Sequence, residues 1–350
     1  MKRLLVLLVV SITICLYASE VYFTRDISPE GVMRVYEQVR GSVDGNVAVK
    51  LHFGEAGNKY YLKPYLVRDL MEAVNGTFVE TNVLYTSPRQ KTLSHINLAK
   101  EHGFDFAPID ILDSSGIDTL HRDDMQYFDQ FYIGSHMDRY DTYIIYSHFK
   151  GHKSAGFGGA VKNVAMGLGT ASGKRDMHNS FIPQYNPDKC NQCGKCAVNC
   201  PVDAINPETF EIDYSKCIGC GQCITECVRG AMTAPDNVRR QQVFLEHLVE
   251  YAYAISSRYN TVYINVLANI TPACDCARNP GSPFIEDIGI LASTDIVAVD
   301  KASLDMVNQV YESEDAFLRI NNISGNRQLE YAESLGMGST EYTIIDLDSQ

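Results

Sequence analysis

Short apolar segments alternate along the chain with longer segments in which apolar residues recur at helical spacing. In the first half of the chain this pattern predicts strands at residues 20–25, 46–53, 77–84, 105–112 and 142–148. The intervening segments predict helices at residues 28–40, 64–75, 89–102 and 158–169. Ser28 and Pro29 indicate where the first helix starts, because a serine hydroxyl caps free backbone N–H groups and proline fits the first helical turn.

The same alternation returns in the last third of the chain. It predicts a long helix at residues 237–258, a strand at 261–268, a helix at 295–311 and a final strand at 342–347. Strands that alternate with helices of this length are typical of a mostly parallel sheet. The fold class is therefore predicted to be α/β, with helices on both faces of a mostly parallel sheet.

The first 18 residues follow a different pattern, in which Lys2 and Arg3 precede an apolar run from Leu4 to Ala18. The run has the length of a signal-peptide core and is too short for a comfortable membrane span. We expect a cleaved signal peptide or an uncleaved N-terminal anchor over residues 1–18, and membrane contact through this segment alone. A start codon placed too early is a third interpretation.

Eight cysteines interrupt the α/β pattern between residues 190 and 227, in two runs of identical spacing. Each run reads C-x-x-C-x-x-C-x-x-x-C, and the second begins 27 residues after the first. This spacing is typical of 4Fe–4S clusters, in which three neighbouring thiolates bind three irons of a cubane and a distant cysteine binds the fourth. Disulfides and structural zinc are the alternatives, but zinc sites take their four ligands in two pairs.

The two runs predict two 4Fe–4S clusters, because in two-cluster ferredoxins the last cysteine of each run binds the other cluster. The expected ligands are Cys190, Cys193, Cys196 and Cys227 for the first cluster, and Cys217, Cys220, Cys223 and Cys200 for the second. Residues 184–236 resemble bacterial-type dicluster ferredoxins, with Val228 where the first run has Pro201. The resemblance implies a small α+β ferredoxin domain that interrupts an α/β domain made of residues 19–183 and 237–350.

Composition limits the possible partners. At 45% hydrophobic and 21% charged residues, the 350-residue chain has an ordinary globular composition. Its net charge is −13 and no basic patch stands out, which argues against nucleic acid as a partner. An acidic surface suits docking to a basic redox protein, although most of this charge is simply solvated. Of 11 cysteines, Cys15, Cys274 and Cys276 lie outside the two runs, so no disulfide framework is implied.

Polar residues follow several predicted strands, and ligands of open parallel sheets bind beyond the carboxyl ends of the strands. The candidates are His52 and Glu55 after one strand, and His148 and His152 at the end of another. Together they can bind a metal or act as acid and base groups, because histidine titrates near neutral pH. Imidazoles that only hydrogen-bond to loop backbone are an equally open interpretation.

A glycine-rich loop at residues 156–159 precedes a predicted helix. Free backbone N–H groups and the positive end of a helix dipole suit a small anionic ligand, and Lys150 and Lys162 add positive charge. The loop matches neither the dinucleotide motif nor the phosphate-loop motif. The alternative is that its glycines only permit close helix packing.

Cys274, Asp275 and Cys276 form the other unusual motif. In a loop, both thiols can reach a metal ion or a cluster, or they can form a redox-active pair. A disulfide between residues so close in sequence is expected to be strained. Loop thiols without a role are an equally open interpretation.

Several longer strings resemble the domain-of-unknown-function family DUF362. They are KLHFGEAGNKYYLKP, ETNVLY, SHFKGHKSAGFGGAVKNVAMG, CDC, DIGILAS and STDIVAVDKASLD, within about residues 21–308. Members of this family often carry an inserted dicluster ferredoxin, are described as iron–sulfur proteins and share no single reaction. The resemblance implies that the residues in these strings form one candidate site: His52, His148, Lys150, His152, Lys162, Asn163, Cys274 and Cys276.

The cysteine runs and the resemblance together predict a redox protein that passes single electrons from its clusters to a ligand or substrate in the α/β cleft. There His52 or His148 would protonate the substrate, and Lys150 and Lys162 would hold its anionic group. A plain electron carrier that docks a partner oxidoreductase is the alternative, and clusters that only brace the fold are a third. The compartment stays open, because the N-terminal segment indicates export or membrane attachment whereas clusters are normally inserted in the cytoplasm.

Overall fold

The computed structural model describes residues 18–179, 182–219, 221–233 and 237–349. The predicted signal peptide or anchor therefore lies outside the described residues, apart from Ala18. Within the described ranges, every helix is too short or too polar to cross a membrane.

The part of the chain before the cysteine runs contains nine strands and five helices among its described residues. The strands are β1 (Ser19–Thr24), β2 (Val47–Lys50), β3 (Thr77–Glu80), β4 (Ile109–Ile111), β5 (Ile117–His121), β6 (Gln130–Gly134), β7 (Thr142–His148), β8 (Lys150–His152) and β9 (Gly156–Gly158). The helices are α1 (Pro29–Val39), α2 (Arg68–Val74), α3 (Thr92–Glu101), α4 (Ala160–Leu168) and α5 (Ala171–His178).

The rest of the chain begins with the short elements around the cysteines and then returns to the large sheet. Its strands are β10 (Gln184–Tyr185), β11 (Met232–Thr233), β12 (Asn260–Leu267), β13 (Gly289–Ser293) and β14 (Tyr342–Asp346). Its helices are α6 (Lys195–Val198), α7 (Gln222–Glu226), α8 (Asn237–Ser256), α9 (Ile296–Val310), α10 (Ala316–Asn321) and α11 (Asn326–Ser334).

Eight strands form one central sheet in the order β14-β1-β13-β12-β7-β2-β3-β4. Neighbouring strands are parallel except where β13 pairs antiparallel with β1 and β12. Seven strands therefore run in one direction and only β13 runs against them. The predicted α/β class and mostly parallel sheet are confirmed.

The sheet is covered by helices on both faces, as β7 in its centre shows. Tyr143 and Ile145 pack into a core that includes residues of α4, α8 and α9. Ile144 and Tyr146 point to the other face, into a core shared with α1, α2 and α3. Because side chains alternate along a strand, a strand buried on both faces is apolar throughout.

Several elements of the sheet region depart from the sequence pattern. β2 ends earlier than predicted, at Lys50, and Leu51 and Phe53 after it are buried in the core that the sheet shares with α1, α2 and α3. β3 also ends earlier than predicted, at Glu80. The hairpin of β5 and β6 and the antiparallel strand β13 were not predicted. β5 carries mostly exposed or half-buried side chains, so it lacks the apolar run that indicates a buried strand.

Residues 184–233, called the cysteine-rich segment below, form a small unit with its own core. The unit is closed by β10 and β11, which pair antiparallel with Tyr185 opposite Met232. Phe210 and Ile205 pack there against several of the cysteines. The sequence repeat is visible in the backbone, because α6 and α7 follow glycines at equivalent repeat positions, Gly194 and Gly221, with φ of 72° and 73°.

Candidate functional site

A cavity of about 420 Å³ lies where the chain leaves the carboxyl ends of β2 and β3. Its walls come from these strand ends, from α4 and α5, and from the loop after β12. The cysteine-rich segment closes another side with Asn199, Pro201, Ile218 and Gln222. This position agrees with the rule that ligands of parallel sheets bind beyond the carboxyl ends of strands.

A buried ion network forms the floor of the cavity. Arg89 Nη2 donates to both carboxylate oxygens of Glu80 at 2.9 and 3.1 Å, and Lys50 Nζ lies 3.6 Å from the same carboxylate. Burial opposes ionisation of Glu80, but Arg89 and Lys50 outweigh it and hold the pKa of this carboxyl well below its usual range. Burial also lowers the pKa of Lys50 to about 8. The negative charge of Glu80 is therefore balanced by two cations, Arg89 and Lys50.

Two of the cavity lysines have their hydrogen bonds satisfied. Lys174 Nζ donates to Thr81 Oγ1 and Gly169 O at 2.6 Å and to Asn82 O at 2.9 Å. Lys50 Nζ donates to Leu51 O at 3.0 Å and to Asn163 Oδ1 at 2.8 Å.

Lys162 differs from these lysines. It lines the cavity from α4 but, among the described residues, it donates no hydrogen bond and forms no ion pair. Burial lowers its pKa to about 8, and the nearby cations Lys50 and Lys150 add to this effect. At neutral pH it is still mostly protonated. A half-buried ammonium that faces a cavity without a counter-charge suits an anionic ligand.

The imidazoles of the cavity are fixed by backbone donors. His52 Nδ1 accepts from Gly54 N at 2.9 Å, and His152 Nδ1 accepts from Ser154 N at 3.1 Å and Ala155 N at 3.0 Å. An Nδ1 that accepts carries no proton, so the proton of the neutral ring lies on Nε2. Burial holds the pKa of both rings well below the usual value. His52 and His152 are therefore neutral hydrogen-bond donors through Nε2–H.

His178 contributes a third imidazole to the cavity. Its ring stacks on Phe244 with centroids 5.0 Å apart, and its Nδ1 is buried with no hydrogen-bond partner among the described atoms. Burial and the nearby ammonium of Lys162 lower its pKa to about 4, so this ring is also neutral.

His148 and Lys150, two of the sequence-predicted site residues, lie outside the cavity lining. Lys150 forms an ion pair with Asp275, and His148 Nδ1 lies 3.0 Å from Asp275 Oδ2. His148 Nε2 lies 2.5 Å from Ala268 O. Burial opposes ionisation of Asp275, but Lys150 and then His148 outweigh it and keep its pKa below the usual range. This network holds the middle residue of the Cys274-Asp275-Cys276 motif.

Glu55 also lies outside the cavity lining. Its carboxylate accepts from Ser87 Oγ at 2.7 Å and from Tyr85 Oη at 3.2 Å. Of the four residues predicted to form a metal or acid–base site, the cavity therefore brings together His52 and His152 but not Glu55 and His148.

The glycine-rich loop does not offer its helix N-terminus to a ligand. Ala160 N and Val161 N, the first N–H groups of α4, donate to the carboxylate of Asp300 at 2.7 and 3.0 Å. Asn265 Nδ2 donates to the same carboxylate at 2.7 Å. Burial raises the pKa of Asp300 to about 6. An anion in the cavity would therefore be bound by Lys162 rather than by the helix end.

Cys274 and Cys276 line the cavity and are joined by a disulfide. A ring nitrogen of His152 and the two sulfurs lie within 4.8 Å of one another. Two hydrogen bonds hold the loop that carries Cys274 and Cys276 in place. Glu55 N donates to Asp275 O at 2.9 Å, and Asn58 Nδ2 donates to Ala277 O at 3.1 Å.

The cysteines of the two runs surround two further small cavities. One is lined by Cys190, Cys193, Cys196 and Cys227, which are the four ligands predicted for the first cluster. The other is lined by Cys200, Cys217 and Cys223. Cys220, the fourth ligand predicted for this cluster, lies outside the described residues.

The donor set at these cavities fits an iron–sulfur cluster. No disulfide joins Cys190, Cys193, Cys196 and Cys227. Backbone N–H groups point at the terminal sulfur of each run, because Ala204 N lies 3.2 Å from Cys200 Sγ and Ala231 N lies 3.2 Å from Cys227 Sγ. N–H groups aimed at sulfur stabilise thiolates and are among the interactions that tune a bound cluster.

The second cysteine cavity and the large cavity share a wall. Pro201, Ile218 and Gln222 line both of them. The loop after β3 also bridges the two regions, because Thr86 Oγ1 donates to Pro201 O at 3.0 Å and Tyr85 Oη donates to Cys276 O at 3.3 Å.

Several residues of the site were not singled out from the sequence. Lys50, Glu80, Lys174 and Asp300 are buried charged residues within or beside apolar segments. A charged residue in a strand that is otherwise apolar on both faces is rarely buried without a partner, and that was the available signal for Lys50 and Glu80. Lys174 and Asp300 lie on amphipathic helices, where a charged residue carries no such signal.

Three known proteins are similar to parts of this chain in sequence or in structure. Over 32 residues it is 50% identical to a ferredoxin of Rickettsia felis, which is 9% of this chain and 29% of that protein. The lactate racemase apoprotein of Thermoanaerobacterium thermosaccharolyticum superposes with a TM-score of 0.44 at 11% identity, over 83% of this chain and 57% of that one. A Thermotoga maritima protein superposes with a TM-score of 0.38 at 9% identity, over 87% and 58% of the two chains.

In each case the chain spans less than two thirds of the relative's length. The ferredoxin similarity and the Cys/His group in the large cavity suggest iron–sulfur and metal binding. Residues 47–305, most of the chain, match the family described as Domain of unknown function (DUF362). The chain therefore belongs to the DUF362 family.

Proposed function

We propose that this protein is an iron–sulfur redox protein that binds two 4Fe–4S clusters and passes single electrons to an anionic ligand in the large cavity. The observation that carries the proposal is the wall of Pro201, Ile218 and Gln222, shared by the second cysteine cavity and the large cavity. A cluster bound by Cys200, Cys217, Cys220 and Cys223 would lie directly behind this wall.

The cysteine positions support two clusters with exchanged fourth ligands. Cys227 of the second run lies with the three leading cysteines of the first run, and Cys200 lies with Cys217 and Cys223 of the second. Each cluster, when bound, supplies one-electron chemistry that no side chain provides. The protein contributes thiolates, N–H groups aimed at sulfur, and a path to the ligand.

Electrons would arrive at the first cluster. Each set has one buried cysteine, Cys196 in the first and Cys223 in the second, but among the described cysteines of the two runs only Cys193 of the first set is exposed. A partner redox protein can therefore approach the first cluster at Cys193. The net charge of −13 favours a donor with a basic docking surface, since opposite charges speed association.

The ligand would be held by three groups of the large cavity. The ammonium of Lys162 binds its negative group, and Nε2–H of His52 and of His152 donates hydrogen bonds to it. These neutral imidazoles cannot give up a net proton at neutral pH, because Nδ1 is already an acceptor and Nε2 holds the only ring proton. Lys162, with a pKa of about 8, is the better proton source during reduction.

Anaerobic purification tests the proposal. We expect about eight irons and eight sulfides per chain, with the electron-paramagnetic-resonance signals of reduced 4Fe–4S clusters. Reduced protein is then mixed with a panel of anionic oxidants, and cluster reoxidation is followed in wild type, Lys162→Met and the surface control Lys301→Met. Faster reoxidation by one oxidant that is lost only in Lys162→Met supports chemistry in the cavity. Equal rates in all three proteins would leave a plain electron carrier, and iron-free protein would refute the proposal.

A further inference from the structure

Cys274 and Cys276 form a cysteine pair outside the two cluster runs, and its position is specific. Both residues line the large cavity, and a disulfide joins them. Asp275 between them is buried and held by Lys150 and His148, so the loop is fixed rather than free to turn outward. The pair therefore faces the same space as the ligand proposed above.

A metal ion is the competing explanation, because His152 lies with the two sulfurs. The ring of His152 argues against it. A metal-bound histidine donates its other ring N–H to an acceptor. Here Nδ1 of His152 instead accepts from two backbone N–H groups, at 3.1 and 3.0 Å. Nε2 therefore carries the ring proton, so His152 offers the cavity a hydrogen-bond donor and no free lone pair for a metal ion.

A short chain of bonds connects the pair with the second cluster site. Pro201 follows Cys200 directly, and its carbonyl accepts from Thr86 Oγ1 at 3.0 Å. The adjacent Tyr85 shares its Oη hydrogen between Glu55 Oε2 at 3.2 Å and the carbonyl of Cys276 at 3.3 Å. The route therefore crosses two hydrogen bonds and otherwise follows covalent bonds.

We propose that Cys274 and Cys276 are a redox-active dithiol–disulfide pair that collects two electrons from the clusters and delivers them together to an anionic two-electron acceptor in the cavity. This inference rests on the proposed function, since the clusters are the source of the electrons. It adds to the proposed function the number of electrons that are delivered together. A cluster releases one electron at a time, whereas a disulfide takes up two.

The chemistry balances in two half-reactions. In the first, two electrons break the bond between the two Sγ atoms, and the resulting thiolates take two protons from water to become thiols. His152 Nε2–H and the ammonium of Lys162 line the same cavity as the two sulfurs and would favour the negative charge of the thiolate stage. In the second, the two thiols return to the disulfide, and two electrons and two protons pass to the acceptor, which is reduced.

The test counts electrons in anaerobic holoprotein. Wild type, the double variant Cys274→Ser/Cys276→Ser and the same-loop control Ser282→Ala are oxidised and then titrated with a photoreduced deazaflavin. We expect wild type and the control to take up two more electrons per chain than the double variant, at equal iron content. Differential alkylation of the same samples should show the Cys274–Cys276 peptide blocked before the titration and doubly alkylated after it.

The outcomes separate the inference from the function on which it rests. Full iron content with equal electron uptake in all three proteins would overturn the inference alone, because the clusters would be present and the pair inert. One non-iron metal per chain that is lost in the double variant would also overturn it, in favour of a metal site. Protein without iron would overturn the proposed function, and with it the supply of electrons to the pair. A Cys217→Ser variant whose pair stays blocked, while the first cluster is still reduced, supports the route from the second cluster.

Discussion

At the scale of single residues, the charged side chains of the cavity differ in whether an ion pair or hydrogen bonds balance their charge. Glu80 is matched by Arg89 and Lys50, and Lys174 by three oxygen acceptors. Lys162 has no such partner among the described residues, although it is only partly exposed. Unmatched charge at low exposure is costly, so it indicates a ligand rather than stability.

Replacing Lys162 should weaken anion binding. In Lys162→Met we expect affinity for inorganic phosphate, used as a probe, to fall about 10-fold or more, because a charge-assisted hydrogen bond is worth about 1.5–3 kcal/mol. Isothermal titration calorimetry measures this, with Lys301→Met as the control, since Lys301 is a partly exposed lysine of α9 that pairs with Asp305 and does not line the cavity. Equal affinity in both variants would contradict the assignment.

The same lysine predicts a pH dependence. Its pKa is about 8, and only the protonated form attracts an anion, so wild-type affinity should be full near pH 7 and decline as the pH rises above 8. Lys50 and Lys174, with pKa values of about 8 and about 7, titrate in the same window and will leave a smaller slope in Lys162→Met. A wild-type affinity that is flat from pH 7 to about 9 would be inconsistent with this explanation.

At the scale of elements, the N-terminus of α4 was a candidate ligand site from the sequence, but in the structure a side chain of the protein occupies it. The glycine-rich loop correctly indicated a helix start, since α4 begins at Ala160. The sequence left two interpretations of this loop, N–H groups that bind an anion or glycines that permit close helix packing, and in the structure Asp300 of α9 accepts from these N–H groups. The sequence could not reveal this, because Asp300 lies 140 residues away from Ala160 and only the packing of α9 on α4 joins them.

Asp300 should make folding stability depend on pH in an identifiable direction. Its folded-state pKa of about 6 is higher than that of an unfolded aspartate, so its contribution to stability is present at low pH and is lost as the pH rises through 6. Between pH 5 and 7 the free energy of unfolding of wild type should fall by about 1 kcal/mol relative to Asp300→Asn. Urea unfolding at both pH values measures the difference, and parallel curves for the two proteins would exclude Asp300 as the cause.

The repeat within the cysteine-rich segment allows a prediction on backbone conformation. Gly194 has φ of +72°, and a Cβ at this position would meet no atom within 4 Å. Gly194→Ala should therefore cost about 1–2 kcal/mol from the left-handed backbone alone, without a steric clash. Gly336, with φ of +74° and the same open surroundings, is the matched control far from the cysteines in sequence.

The readout for Gly194 is the half-life of the iron signal under mild denaturant. It should shorten in Gly194→Ala and stay unchanged in Gly336→Ala, although global stability falls in both. If both variants kept iron as long as wild type, the helix start at Gly194 would not matter for the cysteine site.

At the scale of the whole molecule, most of the architecture was predictable from hydrophobic patterning. β7 and the long helices were placed to within a few residues, because buried strands and amphipathic helices have strong periodic patterns. β13 was not, since its five small and apolar residues pair antiparallel with strands distant in sequence. The domain boundaries and the role of the N-terminal segment stay predictions.

The site was predictable only in part, because its residues meet through tertiary packing. His52, His152, Lys162, Asn163, Cys274 and Cys276 were singled out and do line one cavity. His148 and Lys150 belong to the same sequence strings but lie outside the cavity lining, where they contact the carboxylate of Asp275. Sequence strings show which segments come together, whereas the direction of each side chain depends on strand register and loop geometry.

The arrangement of the described residues predicts a direction of electron flow, from the first cysteine set, where Cys193 is exposed, through the second set to the cavity. A Cys217→Ser variant should lose the second cluster, so it should still accept electrons from a protein donor but reoxidise slowly with a cavity ligand. Cys193→Ser should instead slow the reduction step, because Cys193 is the exposed ligand at the first set. Stopped-flow absorbance separates the two rates, and iron counts of each variant show which cluster was lost. If the two variants slowed the same step to the same degree, the clusters would act in parallel, and the order proposed from exposure would be wrong.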